Sequence, residues 1–245
     1  MTIEIPSVPT AQLLRGRINN LRKTRRSQDF FFTDEDRARM GATAIAAGLA
    51  GLGGIATGLA GMAMDTTEEA DLLEFDLDGQ RIKAWVWLSV FSEDDEVEVV
   101  AEQWGNTWQG YGIRRTSDKI VALHPHCSRG RYAHYRASLR WWMKIFLPFL
   151  GLSYLIMGII AVVKNSMPLE NLMFGCLIAG GVTAVIFGFI GIRISRKFMG
   201  FVRLAEGIFN GFGWKDVRNI DLPAITKKSK KSDDPGPLGV LYFRY

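Results

Sequence analysis

Two cysteines in 245 residues, Cys127 and Cys176, exclude a disulfide framework and a zinc ribbon. Nucleophile elbow, phosphate-binding loop and metalloprotease helix are all missing from the sequence. The chain therefore reads as a non-enzyme without a cofactor. Met1 to Thr10 carries Glu4, Pro6 and Pro9 and has no basic start followed by an apolar core, so no signal peptide is expected. No lipidation signal is present either. Synthesis in the cytoplasm follows, with direct membrane entry or export by a route that needs no cleavable signal.

Three motifs that resemble chemistry resolve into structure. His124-Pro125-His126-Cys127, with His134 nearby, offers zinc-type ligands. The spacing matches no closed site, so the segment reads as a structural turn with no metal. Gly110-Tyr111-Gly112 reads as a strand glycine pair, and Asp94-Asp95 as a solvated turn.

The net charge of +5 hides separate blocks. Residues 1–39 hold eight basic and five acidic side chains; residues 65–104 hold two and thirteen. Residues 113–144 hold eight and one, and residues 193–231 hold ten and three. The later basic blocks flank long apolar runs, which points to a membrane and not to nucleic acid.

Thr10 to Gln28 is expected as a basic helix, with Leu13, Leu14, Ile18 and Leu21 near helical spacing. It would lie on anionic lipid or stand solvated. Thr33 then caps a second helix, supported by Asp34, Glu35 and Asp36 and by Phe32 as a staple. That helix runs into Met40 to Met64, which is 25 residues without a charge and includes seven glycines. At ~1.5 Å per residue it is roughly 37 Å long, against ~30 Å of bilayer hydrocarbon. Ala44, Ala47, Gly51, Gly54, Gly58 and Gly61 share one helical face. Small residues at such spacing let helices approach closely in lipid, so this zipper face predicts a homo-oligomer, with close packing inside one protein as the alternative. Thr43 and Thr57 border that face as candidate pore-lining hydroxyls, and Asp65, Glu68, Glu69 and Asp71 follow as candidate acidic rings at a pore mouth.

Residues 65–128 are expected to form a small acidic antiparallel β barrel or sandwich, with turns at Asp78-Gly79 and Gly105-Asn106. Trp85, Trp87, Trp104, Trp108 and Tyr111 would supply its core or a sticky face. An oligonucleotide-binding barrel is one form of this design, but the acidic surface argues against polyanion binding. Phe146 to Val163 and Leu172 to Ile192 read as a transmembrane hairpin inside residues 129–197, with Trp141-Trp142 at the interface and arginines at both ends. Residues 198–245 add an amphipathic helix over Phe198 to Phe212 and a flexible linker over Lys227 to Gly236. The last residues, Val240 to Tyr245, form either an edge strand or a loose tail. The fold class is thus α+β and membrane-associated.

A parity problem follows. The hairpin keeps its basic flanks on one side, and a third span over Met40 to Met64 places basic blocks on both sides. Either that segment inserts conditionally, or the protein has three spans with an imperfect charge bias.

The segments Phe30-Phe31-Phe32-Thr33-Asp34-Glu35-Asp36, Leu123-His124-Pro125-His126-Cys127-Ser128-Arg129-Gly130-Arg131 and Tyr242-Phe243-Arg244-Tyr245 resemble a family of type VI secretion effectors of Gram-negative bacteria, over nearly the whole chain. The glycine run resembles that of glycine-zipper pore-forming toxins delivered by this route. The resemblance implies an antibacterial toxin, carried by the ring protein of the secretion tube, that depolarises the recipient inner membrane. It also implies a cognate immunity protein in the producer. A resident inner-membrane immunity or accessory protein that neutralises such a toxin is the alternative, and a small channel or transporter is the third reading.

Overall fold

The computed structural model describes residues 11–28, 68–164 and 169–245. Two compact units emerge, one built on Pro9–Pro125 with Thr226–Tyr245, the other on His126–Ile225.

The first unit is a β barrel. Its strands are β1 (Gln12–Gln28), β2 (Glu68–Leu77), β3 (Gln80–Val86), β4 (Glu96–Trp104), β5 (Thr107–Arg115), β6 (Ile120–Leu123) and β7 (Phe243–Arg244). β1 pairs antiparallel with both β2 and β4. β2 pairs with β3 and β4 with β5, and a parallel contact between β3 and β5 closes a five-stranded ring. The second half of β5 pairs instead with β6, and β6 with β7. Five-stranded Greek-key barrels of this kind include the oligonucleotide-binding type, but a fold does not carry a function with it.

Alternation explains the core. Leu73, Phe75 and Leu77 of β2, Ile82, Ala84 and Val86 of β3, and Val97, Val99 and Ala101 of β4 all point inward and are buried. The intervening Glu74, Lys83 and Glu98 lie on the outside, as period-two patterning requires. The hairpin at Asp78-Gly79 has both residues at positive φ, 48° and 84°, which suits the right-handed twist of the flanking strands.

The expected helix over Thr10 to Gln28 is instead the long strand β1, so residues 12–28 belong to the barrel rather than to a separate N-terminal helical region. The reason is a bulge. The register slips between Asn19 and Arg22, with Asn20 at φ 56°. Ile18 is fully buried, and Leu14 and Leu21 pack against the same core. Leu14 and Ile18 share a face by alternation, and the bulge moves the inward position on to Leu21. The spacing of four and then three imitates a helix. Glu93 holds the bend by accepting the amides of Asn20 (2.6 Å) and Leu21 (2.9 Å).

The basic and acidic blocks meet across these strands. Arg15 pairs with Glu98 at 3.1 Å and Arg17 with Glu96 at 3.3 Å. Arg25 bridges Glu69 at 3.1 Å and Asp71 at 2.9 Å. Arg115 is held by Asp95 (2.8 Å) and Asp118 (2.7 Å), and these hydrogen bonds raise its pKa above the ordinary arginine value.

The tryptophans lie mainly outside the fully buried core. Trp104 is exposed at the β4–β5 turn, Trp85 and Trp87 are half-buried, and Trp108 packs only partly on the core. Tyr111 reaches Glu102 at 3.3 Å, and burial with that neighbouring carboxylate pushes its pKa up to about 12.

The C-terminal segment is built into the barrel and replaces the expected loose linker. Helix Leu222–Ser229 carries Thr226, whose hydroxyl accepts the Arg244 amide at 3.0 Å and so covers the edge of β7. Arg244 grips Asp234 through two bonds of 2.9 Å, which lowers the Asp234 pKa to about 2. The edge-strand reading of the last residues is the one the structure shows, with Leu238 and Tyr242 in the core.

Gly110 sits at the closing seam, where an added Cβ would lie 3.0 Å from Ala84 Cβ and 3.3 Å from Ile82 Cγ2. Gly110→Val should destabilise the barrel by about 1–3 kcal/mol, the usual cost of overpacking. Urea unfolding followed by tryptophan fluorescence checks this; an unchanged midpoint would contradict the closure.

Candidate membrane-inserting site

The second unit contains α1 (Arg131–Lys164), α2 (Leu169–Lys197) and α3 (Met199–Gly211); the helix Leu222–Ser229 is α4. The stretches Arg131–Val163 and Met173–Lys197 are long and apolar enough to cross a membrane. In each, only 6% of the most apolar window is buried. Leu155, Ile159, Val162, Phe174, Leu177, Val185 and Phe189 are exposed.

α1 and α2 pack through one row of aromatic side chains facing glycines. Trp142 stacks on Phe146 at 4.6 Å, and Phe149 on Phe187 at 5.2 Å. Tyr154 lies directly on Gly180 and donates to the Cys176 carbonyl at 2.7 Å. An added Cβ at Gly191 would stand 3.1 Å from Trp142 Cδ1. Gly180 and Gly191 are eleven residues apart, three helical turns, so both face α1. Gly175, Gly181 and Gly188 face open space.

Two hydroxyls along the hairpin are satisfied within their own helices, whereas the buried Trp142 Nε1 has no hydrogen-bond partner. Ser153 donates to the Phe149 carbonyl at 2.8 Å, and Thr183 to the Ala179 carbonyl at 2.7 Å. Internal pairing of this kind is what a hydrocarbon surrounding demands. Near the helix ends, Ser195 Oγ lies 3.0 Å from His134 Nε2 and 3.4 Å from Ser138 Oγ. Lys144 sits over Trp141 at 5.4 Å and Arg193 over Phe189 at 5.3 Å.

α3 is the expected amphipathic helix. It buries Val202, Ala205, Glu206, Ile208 and Phe209, and Trp214 stacks on Phe209 at 5.2 Å. Buried Glu206 accepts the Arg131 amide at 2.8 Å, capping α1 at its positive end. Asp221 pairs with Arg129 at 3.0 Å. Gly130 approaches the backbone of Val217 and Arg218 so closely that no side chain fits.

The residues singled out in the sequence have different fates. Ala44, Ala47, Gly51, Gly54, Gly58, Gly61, Thr43, Thr57 and Asp65 lie outside the described residues. Glu68, Glu69 and Asp71 lie on β2. Asp71 is buried and accepts Arg25 and the Ser89 amide at 2.7 Å, and Glu69 shares Arg25. Asp71 is thus a sheet residue and not a free carboxylate at a mouth. His126 packs on Phe201 at 5.1 Å, while Cys127 is buried, which pushes its thiol pKa up. Among the described residues no cluster of three metal-ligating side chains occurs. Arg25 meets Glu69 and Asp71 only through the β1–β2 register, which a helical reading of Thr10 to Gln28 does not contain. The Gly180–Gly191 interval was legible as a packing signal.

The register predicts a covalent test. In a chain with Cys127 and Cys176 replaced by alanine, Ser138→Cys with Ser195→Cys should form a disulfide on mild oxidation. A pair that stays reduced would place α1 and α2 in a different register.

No family model matches the chain, and neither does any curated protein or solved structure.

Proposed function

We propose that the protein is an antibacterial toxin exported by type VI secretion, which inserts into the inner membrane of a recipient cell. There it forms small cation-favouring pores that collapse the membrane potential. The observation that carries the reading is the apolar exterior of α1 and α2. Soluble proteins rarely leave contiguous apolar patches above a few hundred Å² uncovered. Lipid covers such a surface, and the internal hydroxyl bonds suit a dry environment.

In this reading the hairpin anchors each copy. The zipper face from Ala44 to Gly61 brings copies together as a homo-oligomer, with Thr43 and Thr57 offering hydroxyls to ions. Asp65, Glu68 and Glu69 supply the acidic field, reduced by Arg25. The ring protein of the secretion tube carries the toxin out of the producer, and a cognate immunity protein guards that cell. The second reading, a resident immunity or accessory protein, has its own observation. Basic residues stand at both ends of the hairpin, as cytoplasmic flanks do after insertion at synthesis.

Growth under directed expression separates the two. Periplasmic delivery should stop growth and cytoplasmic expression should be tolerated; protection against a co-expressed toxin would favour the immunity reading. Ile156→Arg with Val185→Arg puts charge in both spans, at ~2.5–3.5 kcal/mol each. That variant should leave the membrane fraction and lose toxicity. Its continued recovery in salt-washed membranes would overturn the anchor.

A further inference from the structure

The barrel limits how the chain crosses a membrane. β1 and β2 are hydrogen-bonded neighbours up to the pair Gln28 and Glu68. The chain therefore leaves the barrel and returns to it at one point. Likewise Ile120 of β6 faces Arg244 of β7, and Val121 faces Phe243, although α1 and α2 lie between them in sequence. Each excursion begins and ends at a closed ladder.

From these two closures we infer that β1, β2 and the rest of the barrel stay on one face of the membrane, so that each excursion crosses it an even number of times or not at all. This rests on the hairpin reading above. The excursion through α1 and α2 meets the condition with two crossings. The excursion over residues 29–67 does not meet it if Met40 to Met64 crosses once. A return crossing would then fall to residues 29–39, which include Asp29, Asp34, Glu35, Asp36, Arg37 and Arg39. Each such charge at the bilayer centre costs ~2.5–3.5 kcal/mol. Residues 65–67 reach only about 10 Å when extended, too short for ~30 Å of hydrocarbon. The remaining route to a single crossing takes β1 out of the barrel. That removes Ile18 from the core and separates Arg15, Arg17 and Arg25 from their carboxylates. A single span over Met40 to Met64 and a closed barrel are mutually exclusive.

The test uses the full chain with Cys127→Ala and Cys176→Ala. Single cysteines replace Ser27 at the end of β1 or Gln80 at the start of β3, both exposed. In sealed membrane vesicles of known orientation, a membrane-impermeant maleimide should label both from the same face. In addition, Thr24→Cys with Leu72→Cys, partners in the β1–β2 register, should oxidise to a disulfide in the membrane-bound protein. Labelling from opposite faces, or no cross-link in the membrane fraction, would overturn the inference while leaving the hairpin standing. Recovery of the protein only in the soluble fraction would overturn the hairpin reading and the inference together.

Discussion

The structure depends on one strand serving two neighbours. β1 pairs with β4 through Arg17 and with β2 from Ile18 onward, and just past this change of partner the strand bulges at Asn20. The ring of β1, β2, β3, β5 and β4 closes through this shared strand. Charge reinforces the arrangement. A basic strand lies between two acidic ones, with Arg15 and Arg17 facing one side and Arg25 the other. Each exposed pair contributes only ~0–1 kcal/mol. Their greater value is in register, since a slip by one residue would point arginines inward.

The helical unit follows the opposite rule. Along α1 and α2 most apolar side chains face outward, and the contact between the two helices is a narrow seam of rings, two of them on glycine. Where lipid surrounds both helices, hydrophobicity gives them no reason to associate, and close van der Waals contact supplies the attraction. Gly180 and Gly191 provide that contact. Glu206 and Asp221 tie the base of α1 to the segment that follows α2.

Much of this was legible in the sequence, for identifiable reasons. The two turns with Asp78-Gly79 and Gly105-Asn106 depend on local backbone chemistry, and the apolar runs of α1 and α2 announce themselves by length. β1 was not legible as a strand. A bulge changes the inward parity between Ile18 and Leu21, so the pattern matches a helix better than an alternating strand. The Lys227 to Gly236 stretch looks like a linker by composition. Its order comes from Thr226 and the Asp234–Arg244 pair, which are contacts distant in sequence. The acidic run after Met64 reads as a free cluster only while its partner Arg25 is assigned to another element.

The charge on the described acids bears on the pore. Arg25 offsets one of the two charges of Glu69 and Asp71, so in the proposed pore any cation preference would rest on fewer carboxylates than the sequence count suggests. The most direct measurement is planar-bilayer recording of the purified full chain in asymmetric KCl. The account predicts stepwise conductance with a reversal potential on the cation side and no passage of large dyes through vesicles of the same lipid. A bilayer that stays silent, or a conductance that admits large dyes without ion preference, would contradict it.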